Sequence, residues 1–374
     1  MAAGLAPNIY LLIVFRIIQG IGGGVFLPAA TAMVSDAFGE RRAPAIGLFG
    51  SIFPIGGILG PNIGGFIVDN FSWRWVFYVN VPVGVLLFLC GMAFLPKSNK
   101  SAHKNQKLDF VGTGLFIGGV LAVLYGITNW ANNPGRLGTM VMTWVLFTAS
   151  LIFFSLFVWY ENRISQPMIE IKLLRWRPFL AANIYNFIFG AVVFGFFSFI
   201  PYYAKVAYGM SAGQAGLILT PRSLAMVVTS AVVSIFIIRL RYRLPMIIGV
   251  VLISLSLFLL SRGYHDLSVF GFGLHNLVVL TLLILISGIG MGVANPASNN
   301  AALDLIPERV AAVAGVRGMF RVVGGIIGTA VVTLVLSYFP DKALGMQNIY
   351  LVFSVLILLV IPLVFLIPDR ARQP

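Results

Sequence analysis

Charge is scarce in this 374-residue chain: 10% of positions are Asp, Glu, Lys or Arg, where a soluble globular domain carries roughly a quarter. That scarcity excludes a soluble fold. There is a single cysteine, Cys90, so no intramolecular disulfide can form and the residue reads as a small apolar filler. Acidic residues number eleven, histidines three. His103, His265 and His275 fall in loops, and Asp36, Asp69, Asp109 and Asp304 sit near the ends of apolar runs. No cluster of His, Asp, Glu or Cys stands at membrane depth, which argues against a metal centre or a membrane-embedded enzyme. It also leaves a proton-coupled carrier without the titratable group at depth that such chemistry needs. The opening residues MAAGLAPN carry no basic stretch and no cleavage pattern of a secretory signal.

What the chain has in abundance is apolar residues: 59% are hydrophobic and the mean hydropathy is +0.97. Eleven runs reach the length of a transmembrane helix: 9–36, 44–68, 76–96, 109–129, 139–160, 179–203, 212–238, 245–262, 276–301, 313–337 and 348–367. A β-barrel would show short alternating segments instead, so the expected class is an all-α integral membrane bundle. The net charge of +14 is unevenly placed. Alternating the loops with the C-terminus inside puts sixteen basic residues in inside loops and five outside, with Arg16, Arg222, Arg317 and Arg321 within spans. This is the positive-inside bias, so the charge sets topology in a multi-pass bacterial inner-membrane protein and does not signal nucleic acid. The lipid bilayer is the expected partner.

The chain also repeats itself. Residues 18–60 align with 286–328 at a constant offset of 268, with 18 identities in 43 positions. Shared apolar bias does not place Gly20/Gly288, Pro28/Pro296, Asp36/Asp304, Glu40/Glu308, Arg41/Arg309 and Gly60/Gly328 in register. Parallel repeats of this kind build many transporters, with substrate held between the halves. The second copy is preceded by three spans in its half and the first by none, so a bundle lacking its first three helices is expected. The expected organisation is a shortened first half over 1–96, a linker over 97–178 with two extra spans, and a six-helix half over 179–374. Residues 97–108 read as a solvated linker, and 163–178 as a connector suited to lie on the inner interface.

Arg16 in LLIVFRIIQG is the first candidate for function, because a guanidinium in the bilayer costs several kcal/mol and faces a partner or cavity. Arg222 and Arg321 are further candidates on a substrate path, with Arg317 nearer the cytoplasmic end. Gly56, Gly60 and Gly64 stand at four-residue spacing, allowing close approach of a helix, with Pro61 set to kink it. Gly324, Gly325 and Gly328 in the second copy read as tight packing. Asp36, Arg41, Asp304, Glu308 and Arg309 form an expected cytoplasmic gate, with Asp304 and Glu308 pairing with Arg317 or Arg309.

FRIIQGIGGG, with Arg16, Gln19, Gly20 and Gly22, resembles the fourth-helix motif of the major facilitator superfamily. GGILGPNIGG resembles its fifth-helix antiporter motif, carried by Gly56, Gly60, Pro61, Gly64 and Gly65. WRWVFYVNVPVG (73–84) and PMIEIKLLRWRPF (167–179) resemble segments of the fourteen-helix drug:proton antiporters of the EmrB/QacA type. The resemblance implies a major-facilitator bundle that exports amphipathic compounds against proton entry by alternating access. The proton gradient is then the energy source and no cofactor is needed. It links Arg16 to proton transfer and the Gly/Pro helix to directionality, and it implies a periplasmic adaptor as a further partner. The superfamily's loop motif between helices two and three is missing, as is the first-helix acid, and RLRYRL (239–244) is a degenerate counterpart. An exporter of an anionic metabolite is the alternative that the span arginines suggest, and an inactive truncated remnant is another.

Overall fold

A computed structural model describes residues 1–94, 109–132, 137–165, 167–265, 268–269 and 272–369. The expected linker 97–108 lies outside the described residues, as do the side chains of Pro61 and Gly65. Among the described residues sixteen α-helices follow one another: α1 Ile9–Phe38, α2 Arg42–Ser51, α3 Phe53–Asn70, α4 Trp75–Tyr78, α5 Asn80–Phe94, α6 Phe110–Asn132, α7 Leu137–Glu161 and α8 Ile171–Leu174. Then come α9 Arg177–Tyr208, α10 Ala212–Leu217, α11 Leu219–Leu240, α12 Arg243–Ser261, α13 Asn276–Leu303, α14 Val310–Tyr338, α15 Lys342–Leu358 and α16 Ile361–Leu366. A two-residue antiparallel pairing of Ser268–Val269 with Phe272–Gly273 (β1 and β2) lies in the loop before α13.

Among the described residues ten helices are long and apolar enough to cross a bilayer, where the sequence suggests eleven. The difference is the run 44–68, which breaks at Ile52 between α2 and α3. Pro54 opens α3, and a proline there has no N–H to return to the preceding turn. The 18 residues left in α3 end on Asp69 and Asn70, too polar to count as a span alone. The segment 163–178 also differs from expectation. Only the single turn α8 is helical, and Ile169 and Ile171 bury against Phe157, Phe116 and Val316. These two residues face protein, while Trp176 on the same segment stays exposed.

The offset of 268 recurs in three dimensions. A short 3₁₀ turn follows α1 at Gly39–Arg41 and another follows α13 at Pro307–Arg309. The next helix begins at Arg42 in one copy and Val310 in the other. The copies pack crosswise, α1 on α14 and α13 on α2, while α2 and α3 run along α11.

The tightest joint is α9 on α14. A Cβ at Gly190 would stand 2.2 Å from the Arg321 carbonyl oxygen, at Gly324 2.1 Å from that of Phe187, and at Gly328 2.2 Å from that of Ala191. Only glycine permits this approach, the expected tight packing of the second copy. In the first copy, Gly56, Gly60 and Gly64 meet nothing within 4 Å among the described residues. The pair α6–α7 closes on itself, with Gly119 against Phe154 and the Ser150 hydroxyl donating to the Gly119 carbonyl at 2.9 Å, and it leans on α14.

Substitution of Gly328 by Val should therefore cost about 1–3 kcal/mol through overpacking, whereas Gly60→Ala should cost nothing or stabilise slightly. Thermal unfolding of the two variants in detergent micelles, compared with the parent, checks the contrast. Equal losses would refute the packing described.

Candidate functional site

Three groups of polar residues interrupt the apolar bundle, and they lie at different depths. The first is the basic end of the crossed seam. The Arg42 Nη2 stands 2.7 Å from the Asp304 Oδ1, with both side chains mostly covered. The Tyr242 hydroxyl donates to the other carboxylate oxygen of Asp304. Burial, and then the charge of Asp304, raise the Tyr242 phenol above the ordinary tyrosine range. The phenol therefore stays a neutral donor across the physiological range. Beneath this ion pair the Asn300 amide donates to the Ala43 carbonyl at 3.0 Å. A Cβ at Gly47 would press on Ser234 and come 3.4 Å from Pro296. The contact thus joins α2 to α13, α11 and the turn before α12.

This seam redraws the expected gate. Asp304 pairs with Arg42 and Tyr242, not with Arg317 or Arg309. Arg309 pairs with Glu170 in the connector, where both side chains are largely exposed and the pair contributes little. Asp36, Arg41 and Glu308 are exposed and form no salt bridge among the described residues. The repeat hid the true partner, because Arg42 aligns with Val310 and so falls outside the shared residues. Spacing could not reveal it either, since its acid lies 262 residues away.

The second group is on α1. Arg16 is exposed, with its Nη1 donating to the Gln19 Oε1 at 3.0 Å, and its guanidinium lies 5.8 Å from the Phe77 ring centre. One helical turn separates the two residues, so the pair is local. Gln19 borders a cavity of about 570 Å³ lined also by Phe15, Phe77, Asn80 and Phe88. Gly20, Gly22, Gly23 and Gly24 on the same helix meet nothing within 4 Å among the described residues.

The third group lies within the second half. Arg222 is 3% exposed. Its Nε donates to the Ser287 hydroxyl at 3.2 Å, its Nη2 reaches the Met291 sulfur at 2.7 Å, and its guanidinium stands 4.4 Å from the Phe197 ring. Arg321 donates to the Asn295 Oδ1 at 3.3 Å and lies 5.4 Å from Phe189 and 5.8 Å from Phe194. Arg317 donates to the Asn299 Oδ1 at 3.0 Å and to the Ser298 hydroxyl at 2.8 Å. Arg222 and Arg321, singled out by their depth in the sequence, are thus on different helices and share no partner. Among the described residues no group of three or more His, Cys, Asp or Glu side chains could hold a metal. At one end of the α6–α7 pair, buried Glu161 accepts from the Ile169 N–H and Asp109 caps α6 through the Gly112 N–H at 2.7 Å.

A family model described as Major Facilitator Superfamily matches residues 1–174 and 182–374. Among curated proteins, the chain is 29% identical over 338 residues to the multidrug transporter protein MdtP of Bacillus subtilis, covering 89% of this chain and 60% of that one. It is 33% identical over 296 residues to multidrug resistance protein 3 of the same organism, covering 77% and 54%. The multidrug resistance protein B homolog of Mycobacterium tuberculosis is 29% identical over 349 residues, covering 90% and 61%. The chain thus spans somewhat over half the length of these relatives.

Replacing Asp304 by Asn leaves Arg42 half-buried without its counter-charge, a loss of about 1.5–3 kcal/mol for a hydrogen bond to a charged group. With Cys90→Ser as background, a cysteine placed by Ile46→Cys, now 1% exposed on α2, should react with a polar maleimide roughly tenfold faster or more once Asp304→Asn is added. Unchanged labelling would show that the ion pair does not hold the seam.

Proposed function

The chain belongs to the major facilitator superfamily, and from that premise we propose that it carries out proton-driven efflux of drugs or other amphipathic toxic compounds across the bacterial inner membrane. It acts by alternating access as a member of the drug:proton antiport branch. The single observation that carries the reading is the crossed packing of two repeated units, closed at their basic end by Arg42, Asp304 and Tyr242. Such a seam can open only if the units move relative to one another, which is what alternating access requires. The relatives named for multidrug resistance support the substrate class. The segment 73–84 supports the branch.

The residues take roles in this reading. Arg16 and Gln19, the latter beside an apolar cavity, serve proton transfer or the substrate path, and Arg222 and Arg321 line the path in the other half. The Gly56–Gly65 helix sets the direction of exchange. Asp304, together with Asp36, Arg41, Glu308 and Arg309, guards the cytoplasmic mouth. The proton gradient supplies the energy, no cofactor takes part, and an adaptor on the periplasmic side is a partner to be sought.

Reconstituted in liposomes, the chain should accumulate ethidium when a pH gradient is imposed and stop when the gradient is collapsed. Arg16→Gln should lower that gradient-driven rate at least tenfold, while Arg16→Lys should retain a larger share of it. Ethidium movement that ignores the gradient would contradict proton coupling; no movement in verified proteoliposomes would contradict efflux by this chain.

A further inference from the structure

The two arginines of α14 present an unbalanced charge. Arg317 and Arg321 are four residues apart, so they share a helix face, where like charges repel. From the start of α14 at Val310 they stand at roughly 10 and 16 Å along a helix about 43 Å long, both within its apolar span. Among the described residues no carboxylate lies within 4 Å of either one. Their partners are the neutral oxygens of Asn299, Ser298 and Asn295. Neutral acceptors orient a guanidinium but leave its charge in place, and an uncompensated charge at this depth is costly.

Two donors at the pair have no acceptor among the described residues. Arg317 is 8% exposed, yet its Nε has no partner. Tyr185 on α9 is 1% exposed and its hydroxyl is equally unpartnered. Tyr185 stacks on Phe189 at 5.8 Å, the ring beside which Arg321 also sits, and it lies within electrostatic range of both guanidinium groups. Buried donors without acceptors are rare in a finished structure. The helix joint explains their fixed positions: the Asn186 amide donates to the Arg317 carbonyl, and Gly190 lets α9 press on Arg321.

The repeat separates scaffold from addition. At the first-copy positions matching Asn295, Ser298, Asn299, Arg317 and Arg321 stand Leu27, Ala30, Thr31, Phe49 and Phe53. The second copy keeps the shared glycines and replaces this patch with donors and cations. Packing alone is served by the first copy's residues, so the substitution points to a ligand.

We infer that Arg317, Arg321 and the Tyr185 hydroxyl form a binding site for the anionic head of an amphipathic organic acid, its apolar body lying along Phe189 and Phe194. A carboxylate matches paired guanidinium groups and one phenol donor, and Arg321, Asn295 and Asn299, each only partly buried, give it a way in. This names a substrate class for the transporter proposed above and rests on that reading for its biological meaning; binding itself does not. An anionic lipid headgroup offers the same oxygen chemistry to the site.

The test is equilibrium binding of tritiated 2-naphthoate to the purified chain in phosphatidylcholine nanodiscs, with 2-naphthamide as the uncharged comparison. Saturable binding of the acid and none of the amide is expected. Arg321→Gln and Arg317→Gln should each weaken it at least about tenfold, Arg321→Lys should weaken it less, and the exposed Arg239→Gln should leave it unchanged. Tyr185→Phe removes a hydroxyl that bonds to nothing, so a structural role predicts no effect; the site predicts about tenfold weaker binding. Repeating the titration with phosphatidylglycerol in the disc assigns the source: competition points to a lipid head, its absence to a soluble acid, and both keep the site. Equal binding of acid and amide, no saturable binding by folded protein, or full affinity in Arg321→Gln with Tyr185→Phe would overturn it. Because no transport is measured, ethidium efflux lost while naphthoate binding persists would refute the efflux reading alone. The reverse result would refute this site alone.

Discussion

The structure depends on how two copies of one helical unit cross. Each copy contributes a long helix, a 3₁₀ turn and a second helix, and the first helix of one lies on the second of the other. Lipid offers no hydrophobic gain when helices meet, so contact must come from close packing and polar bonds. Both are present at the seam. Gly47 admits Ser234, Asn300 reaches the Ala43 carbonyl, and Asp304 gathers Arg42 and Tyr242 above them. Away from the seam, the second half builds its core from α9 and α14 pressed together over Gly190, Gly324 and Gly328.

The same low dielectric that makes these polar contacts strong makes lone charges conspicuous. An arginine at the centre of a membrane helix costs about 2.5–3.5 kcal/mol even on insertion scales that allow for adjustment. Arg16 is held by a local bond to Gln19 one turn away and by the Phe77 ring. Arg222 spreads its charge over a serine, a sulfur and an aromatic ring. Arg317 and Arg321 do neither fully, because they share one face and leave a donor unused. The charge distribution thus separates a motif arginine, a packed arginine and an arginine pair within a single chain.

Much of the fold was legible before any coordinates, because the bilayer restricts a chain to helices of a set length. The apolar runs gave the spans, and the constant offset of 268 gave the pairing of units. The break at Ile52 was hidden inside a run whose hydropathy looks continuous, since a backbone interruption by Pro54 leaves little trace in composition. The connector 163–178 is ambiguous for the opposite reason: its apolar residues suit a membrane face as well as a protein one. At the site, depth singled out Arg222 and Arg321, and the repeat brought Asp304 to notice. Neither could supply Arg42, Tyr242 or Tyr185, which are not among the residues the two copies share, and Asp304 is distant in sequence from Arg42 and Tyr242.

The account stands or falls on the two halves meeting where they do, along α3 and α11 as well as at the basic end. Where Gly57 would carry a Cβ, the Ser223 hydroxyl lies 3.8 Å away, close to the geometry of a disulfide. The direct measurement is oxidation of Gly57→Cys with Ser223→Cys, on Cys90→Ser as background, in native membranes with copper phenanthroline. Rapid formation of an intramolecular cross-link, absent from either single variant, is the predicted result. Two thiols that both react with maleimide yet never join would contradict the arrangement.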